Sequence, residues 1–518
     1  MQRVHSVAED PWIDTRVRDD LSPSEREELQ GLLPGALPGG RVAVGLRTLF
    51  HCAHLLADLD VAHPPVESVV RRLLAAFTAR VGGLDSGRTD DWLDVREELL
   101  VAGRFDAAVV DAYVERYAGR WNVYGSVHPF LQDPRLATEC SQDAPPARLA
   151  MDRPSGNNPV WSSTVGQYAP VADAAAVQWL LAWRGFGPAG MAAVRSHGTS
   201  SSKSCKAGPY RALISYFPHA AERLFTTLVL SVPAPAAWPT NPGADRAPWE
   251  CDALPDPRSP AAPCGPVSLL TARTTHAVLL TAGEREETVG CRITWGAAAD
   301  LPAAVDPYVI ERDAGGPLRA AWDRSVWRDL DALLLKQRPG SKTTLRRPTV
   351  FDTVAELPAE ITARLGVRVL AWDQDRQDRN NHWYAATTPP LLAHVEERDP
   401  NGAAAIAALR AQAEATGAEL GRALSSAWHA VNTGRRSQER EGFVGAALVQ
   451  FWQEAEEEFW DVVADTTRTP AFRPLALACF DTAARRLKHT VHGQEAAAKA
   501  RVRLAHPPVP TSRATAAA

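Results

Sequence analysis

"AWDQDRQDRNNHWYAATTPP", residues 371–390, decides how the chain is divided. The apolar run that leads into it, "VRVLAW" (367–372), reads as a strand and stops abruptly at Trp372. From Asp373 to His382 every side chain is charged or able to hydrogen-bond, and no Gly or Pro slackens the run. Trp372 and Trp383 bracket it, and this spacing predicts a stiff hairpin with an indole anchoring each end. Beyond "TTPP" the pattern turns helical and stays so.

The segments 402–431, 442–463 and 471–504 carry apolar residues at helical spacing. Short connections between such segments predict an antiparallel bundle. The expected organisation is α+β: a large, irregular mixed α/β domain over 1–385, a helical bundle over 386–506 and a disordered tail at 507–518. Within the first part, residues 1–40 read as irregular, and 45–120 as a helical unit closed by "FDAAVVDAYVERYAGR". "AAAVQWLLAWRGF" is a further helix and "GTSSSKSCKAGPY" (198–210) a flexible loop. "LFTTLVLSVP", "VSLLTARTTHAVLLTA" and "GCRITWG" read as strand-containing, because they mix β-branched and apolar residues with turn signals. The long polar stretch after Trp121 is punctuated by aromatics and His-Pro, which marks a functional loop rather than slack chain.

At 518 residues, two or three domains are expected. The N-terminus is polar and no apolar run approaches the roughly 20 residues of a bilayer span, so the expected setting is the cytoplasm. The seven cysteines agree: they are scattered and form no C-x-x-C pair. A formal net charge of −5 excludes coating of nucleic acid by bulk electrostatics and leaves room for local basic patches.

Catalytic motifs are scarce. "HCAHLLAD" offers His51, His54 and Asp58 at spacings that place them on one helix face, as a metal-dependent hydrolase would require. No second ligand cluster completes that shell, and Leu49, Cys52, Leu55 and Leu56 supply an apolar stripe that makes the histidines flanking residues. "RPGSKTT" lacks the Gly-Lys adjacency of a phosphate loop, and there is no G-x-S-x-G or H-E-x-x-H. Basic residues are more coherent: Arg485, Arg486, Lys488, Lys499, Arg501 and Arg503 crowd the last helix, a strip able to follow a phosphate backbone. Lys203 and Lys206 stand beside serines and glycine, a second place for phosphate contact.

Several stretches, in order, resemble the CasA family, the large subunit of the type I-E CRISPR surveillance complex Cascade. They are "EDPWI" (9–13), "HPFLQDP" (128–134), "SGNNPVWSS" (155–163), "KAGPYRAL…LFTTLVLSVP" (206–233), "DRAPWE" (245–250), "GPVSLLT" (265–271), and "DQ" (373–374) followed by "HWYAATTPP". The resemblance implies a recognition subunit with no catalytic centre and no cofactor. Its partners are the other Cascade subunits and guide RNA, target double-stranded DNA, and a recruited helicase–nuclease. The guide reads sequence by pairing, while this subunit reads the protospacer-adjacent motif and wedges the duplex open.

Carried over residue by residue, the resemblance places Gln374 on the wedge glutamine, with Asp373 bracing the turn beside it. Phe130 falls on the first DNA-facing loop, and Gly166 and Gln167 on the glycine-containing loop, where Tyr168 stands at a position glycine holds in the family. Arg376 and Arg379 would hold displaced backbone, and Arg485, Arg486 and Lys488 would contact phosphates. The motif-reading lysine of some members has no match, which leaves Arg292 as the candidate. Their zinc knuckle is missing too, since Cys251, Cys264 and Cys291 lack its close spacing. A scaffold binding only protein is the remaining alternative.

Overall fold

The computed structural model describes residues 4–506 apart from 86, 126, 154–168, 239–240, 314, 322–324, 339–343, 375–379 and 433–436. The chain forms two compact units, Met1–Trp322 with Pro339–Ala393, and Asp323–Arg338 with His394–Ala518.

The first unit opens with β1 (Ile13–Val17), the centre of an antiparallel sheet between β2 (Arg41–Val44) and β3 (Leu56–Leu59). Between β1 and β2 lies α1 (Pro23–Leu32). Its start is a capping box: Ser22 Oγ accepts from Glu25 N–H, and the Glu25 carboxylate accepts from Ser22 N–H. The expectation of an irregular stretch over 1–40 is thereby corrected. So is an all-helical 45–120, because α2 (Leu46–Cys52) passes through a short turn into β3.

At the centre of the unit runs α3 (Pro64–Val81), which starts on two prolines and stops at Gly82. Nearly all of it is buried, Arg71 and Arg72 included. Arg71 pairs with Glu67 and Asp58, each at 2.8 Å, and Arg72 pairs with Asp306 at 2.8 Å. Such partners offset much of the cost of burying a guanidinium group. The helices α4 (Thr89–Ala102), α5 (Ala107–Arg116) and α6 (Asp173–Phe186) follow, and α6 packs on α3.

Next comes a hairpin of β4 (Gly190–His197) and β5 (Ser200–Cys205), turning at Gly198 with φ 57°. The expected flexible loop at 198–210 is therefore partly a strand. Cys205 is buried, and Trp295 Nε1 donates to Ser202 O at 3.1 Å, so packing fixes a segment whose composition alone suggests mobility. After β6 (Ile214–Ala220), the stretch "LFTTLVL" forms α7 (Leu224–Leu230) rather than a strand. Its residues are buried around the whole circumference but one, and tertiary packing overrides their β propensity. The helix α8 (Pro266–Thr271) leads to the antiparallel pair β7 (His276–Ala282) and β8 (Glu287–Trp295), as expected from the sequence. Last, β9 (Leu365–Gln374) lies between β6 and β10 (Asn380–Thr387), antiparallel to both.

The second unit is helical: α9 (Leu330–Leu334), α10 (Pro400–Val431), α11 (Ser437–Ala464), α12 (Phe472–Ala484) and α13 (Val491–Ala505). His492 at the start of α13 meets Ala430 O at the end of α10. Arg473 at the start of α12 reaches Leu504 O at the end of α13, so these neighbours run antiparallel. The segment around α9 completes the core. Trp327 is fully buried 4.9 Å from Phe459, and Arg328–Glu414 and Arg410–Asp331 each close at 2.7 Å. The expected division at 385/386 is moved, since β10 continues to Thr387 within the first unit's sheet and 323–338 joins the helices. Residues 507–518, expected to be a tail, lie outside the described residues. No helix among the described residues is long and apolar enough to cross a membrane.

Candidate nucleic-acid interface

The β9–β10 hairpin is built as its sequence predicts. Trp372 and Trp383 stand opposite each other in register, their rings 5.4 Å apart and steeply inclined at 68°. Trp372 is 1% exposed and also meets Phe186 at 5.8 Å. Below them, Arg368 holds Glu67 of α3 through Nη2 at 2.6 Å and Nε at 3.0 Å, which ties the central strand to the central helix.

Beyond the tryptophans the ladder shifts. Asp373 pairs with His382, and Gln374 pairs with Asn380 after a bulge. Gln374, expected to project as a wedge, is instead 5% exposed. Its Oε1 accepts from Ala212 N–H at 3.2 Å. Ala212 has φ 62°, a conformation that strains a residue with a side chain, and the amide helps secure it. The physical reason for the correction is that Gln374 still belongs to the covered central strand, where a buried amide needs partners. Asp373 is half-buried in the strand, and the turn it was expected to brace lies outside the described residues. Arg376 and Arg379 lie outside the described residues.

Phe130 is the second correction. It is 1% exposed, with its ring 6.0 Å from Trp249 and nearly parallel to it, and 6.1 Å from Trp121. It is a core residue at the base of its loop and offers DNA no surface. The loop itself is held tightly. Gln132 donates to Val123 O at 2.6 Å and accepts from Leu280 N–H at 2.7 Å, and Asp133 N–H donates to Val278 O. The backbone of Leu131 is left-handed, at φ 55°.

The remaining candidates are dispersed. Gly166, Gln167 and Tyr168 lie outside the described residues. Lys203 is exposed on β5, whereas Lys206 is paired with Asp300 at 2.7 Å. Arg292, proposed in place of a motif-reading lysine, pairs with Asp143 at 2.6 Å and donates to Leu136 O at 2.9 Å. On the helical unit Arg485, Arg486, Lys488, Lys499 and Arg503 are exposed, and Arg501 is drawn to Asp481 at 2.8 Å.

His51, His54 and Asp58 do not share a helix face, because α2 ends at Cys52 and Asp58 sits in β3. They turn to separate partners: His51 to Asp111 at 3.0 Å, His54 to Glu28 at 3.2 Å, and Asp58 to Arg71 at 2.8 Å. Burial, with Arg104 nearby, lowers the pKa of His54. Among the described residues no three His, Cys, Asp or Glu side chains gather as metal ligands do.

Two features were missed by reading the sequence. Arg195 is fully buried and joins Asp133 and Glu139, each at 2.7 Å, clamping the loop after Phe130 to the β4–β5 hairpin. A cavity of about 320 Å³ opens beside the same loop, with Arg184 and Arg273 in its wall. Neither has a local signature, since the partners are far apart in the chain.

Fold and side chains together define a large α+β chain with a helical-bundle end, whose polar chemistry is spread over a hairpin, a clamped loop and a basic strip. The chain belongs to the family of CRISPR-associated protein Cse1, whose profile matches residues 33–493. Among solved structures, a chain of a CRISPR RNA-guided surveillance complex is 31% identical, with 97% of this chain and 99% of that one covered and a TM-score of 0.83. Thermus thermophilus CasA (Cse1) is 20% identical over 98% of this chain and 99% of its own, with a TM-score of 0.72. Thermobifida fusca Cse1 is 17% identical over 97% of each chain, with a TM-score of 0.73. The last two likenesses are of fold alone. No curated protein matches the chain.

Proposed function

We propose that this chain is the large subunit of a type I-E Cascade complex, working in the cytoplasm with the other subunits and a guide RNA in antiviral defence. In this reading it recognises the protospacer-adjacent motif in double-stranded DNA and opens the duplex for guide pairing. It then offers the docking surface for a helicase–nuclease, and it carries no catalytic centre or cofactor itself. Family membership across residues 33–493 carries the reading, supported by 31% identity to a surveillance-complex chain over nearly its whole length.

The physics of the hairpin suits duplex opening. Unstacking costs roughly a few kcal/mol per base step, so the inserted element must not bend instead of the DNA. Three contacts stiffen the base of this hairpin: the Trp372–Trp383 pair, Arg368 on Glu67, and Gln374 on Ala212 N–H. Gln374 becomes a positioning residue, acting through the hairpin it braces. The exposed cations Arg485, Arg486 and Lys488 supply phosphate contacts, which hold DNA without reading its bases.

The test uses the assembled complex carrying Gln374→Ala. Assembly should be intact, opening of a duplex target slowed, and a target already unpaired at the motif largely unaffected. Equal defects on both targets would remove the hairpin from duplex opening.

A further inference from the structure

The cavity behind the loop that follows Phe130 is not used by any step above. Its volume is about 320 Å³, enough to take most of a drug-sized ligand. Much of its wall is preformed and apolar, contributed by Leu131, Trp249, Leu254 and the closely spaced Pro255, Pro257 and Pro260. Proline fixes its own backbone, so this wall needs little ordering to receive a ligand.

Five arginines, Arg120, Arg135, Arg184, Arg246 and Arg273, interrupt the apolar lining, and two of them, Arg184 and Arg273, hold backbone carbonyls. Arg184, in the last turn of α6, donates to the carbonyls of Leu131 at 3.1 Å and Thr271 at 2.8 Å. Arg273 donates to Pro302 O at 3.4 Å, and its Nε is buried with no hydrogen-bond partner among the described residues. Neither is matched by a carboxylate of the cavity: Asp133 is taken up by Arg135 and Arg195, and Asp256 by Arg258. Burial without a neutralising carboxylate pulls the Arg184 pKa down to about 10, which still leaves it charged. Arg71 and Arg72 of the same unit hold carboxylates directly, whereas Arg184 and Arg273 hold carbonyl oxygens.

We propose that this cavity binds a small amphiphilic organic anion, its carboxylate, phosphate or sulfonate held by Arg273 and Arg184 and its apolar body lying against the proline-rich wall. The chemistry excludes cations, which the guanidinium groups repel, and uncharged polyols, which would leave an apolar wall against hydroxyls. A charge-assisted hydrogen bond to an oxyanion is about twice as strong as a neutral one, so the head group decides affinity.

The experiment titrates the full-length chain with anilinonaphthalene sulfonate and, separately, with N-phenyl-1-naphthylamine, which has the same aromatic body without the sulfonate. One sulfonate probe should bind per chain, with the neutral probe about tenfold weaker or worse. Arg273→Met should weaken the sulfonate probe about tenfold and leave the neutral one unchanged. Ala253→Trp, on the exposed rim, should weaken both probes by filling the entrance. Equal affinity for the two probes overturns the proposal, as does binding indifferent to Ala253→Trp. Should Arg273→Met unfold the chain, the probe comparison and the rim variant still decide.

Discussion

Phe130→Ala separates a surface role from a core role at the loop's base. The wild-type ring is 1% exposed, lies nearly parallel to Trp249 at 6.0 Å and meets Trp121 at 6.1 Å. Truncating a buried Phe to Ala costs about 3–5 kcal/mol, set by lost transfer energy and by the cavity left behind. Two large indoles hold the walls of that cavity apart, and Trp249 is itself fixed by its Nε1–H on Tyr113 Oη at 2.9 Å. Collapse is therefore poor, and the expected loss is about 4 kcal/mol. Against a typical domain stability of about 5–15 kcal/mol, that is a large fraction. Urea unfolding followed by tryptophan fluorescence reads the loss as a lower midpoint at similar slope. Lys203→Ala, an exposed substitution, should stay within about 0.5 kcal/mol of wild type. A Phe130→Ala midpoint equally close to wild type, with binding of target DNA lost, would refute the core assignment.

Three further outcomes follow from the same contacts. Burial holds His276 at about 4, below its usual 6.5, so between those values the unfolded chain binds a proton that the native chain does not. Stability is thus lost as pH falls through that window, by about 3 kcal/mol at pH 4, and His276→Gln should flatten the profile there in urea melts taken across pH. A double-mutant cycle on Trp372→Ala and Trp383→Ala should give a coupling of about 1 kcal/mol, and none if the inclined pair contributes nothing beyond area. Replacing Arg485, Arg486 and Lys488 with Ala in the assembled complex should weaken DNA binding alike for every sequence. The log–log salt slope should shrink by at most about 2.7, which a filter-binding salt series measures.

The parts of this fold that declared themselves were those with local periodicity. The strand that carries Trp372, its partner Trp383 and the long amphipathic helices needed only spacing and side-chain type, although the strand runs on to Gln374. Helix α1 was equally legible through Ser22, Pro23 and Glu25, which together spell a capping box. Helix α7 was hidden because Thr226, Thr227 and Val229 favour a strand until packing buries the segment. The Ser-rich β5 was hidden because its order comes from Trp295, far along the chain. Long-range ion pairs such as Arg368 with Glu67, or Arg195 with Asp133, leave no pattern in either partner's neighbourhood. Phe130 shows the deeper limit. An aromatic beside a proline reads the same whether it anchors an interface or a core, and Trp249 decided between them. Gln374 followed a likeness of sequence, whereas its burial follows from the strand that carries it.

The short segment around Trp327 has a consequence for how such chains recombine. The helical unit draws its core from two separated pieces of sequence, because Trp327 packs on Phe459 and Trp452 while Arg328 and Asp331 hold Glu414 and Arg410. A crossover between relatives placed just before α10 would split these partners between two parents. Each half would then inherit side chains fitted to a neighbour it no longer has. Exchange of the helical end as a working part therefore demands two coordinated crossovers, and the contacts of Trp327 should drift together with those of Phe459 across the strand pair that intervenes in the sequence.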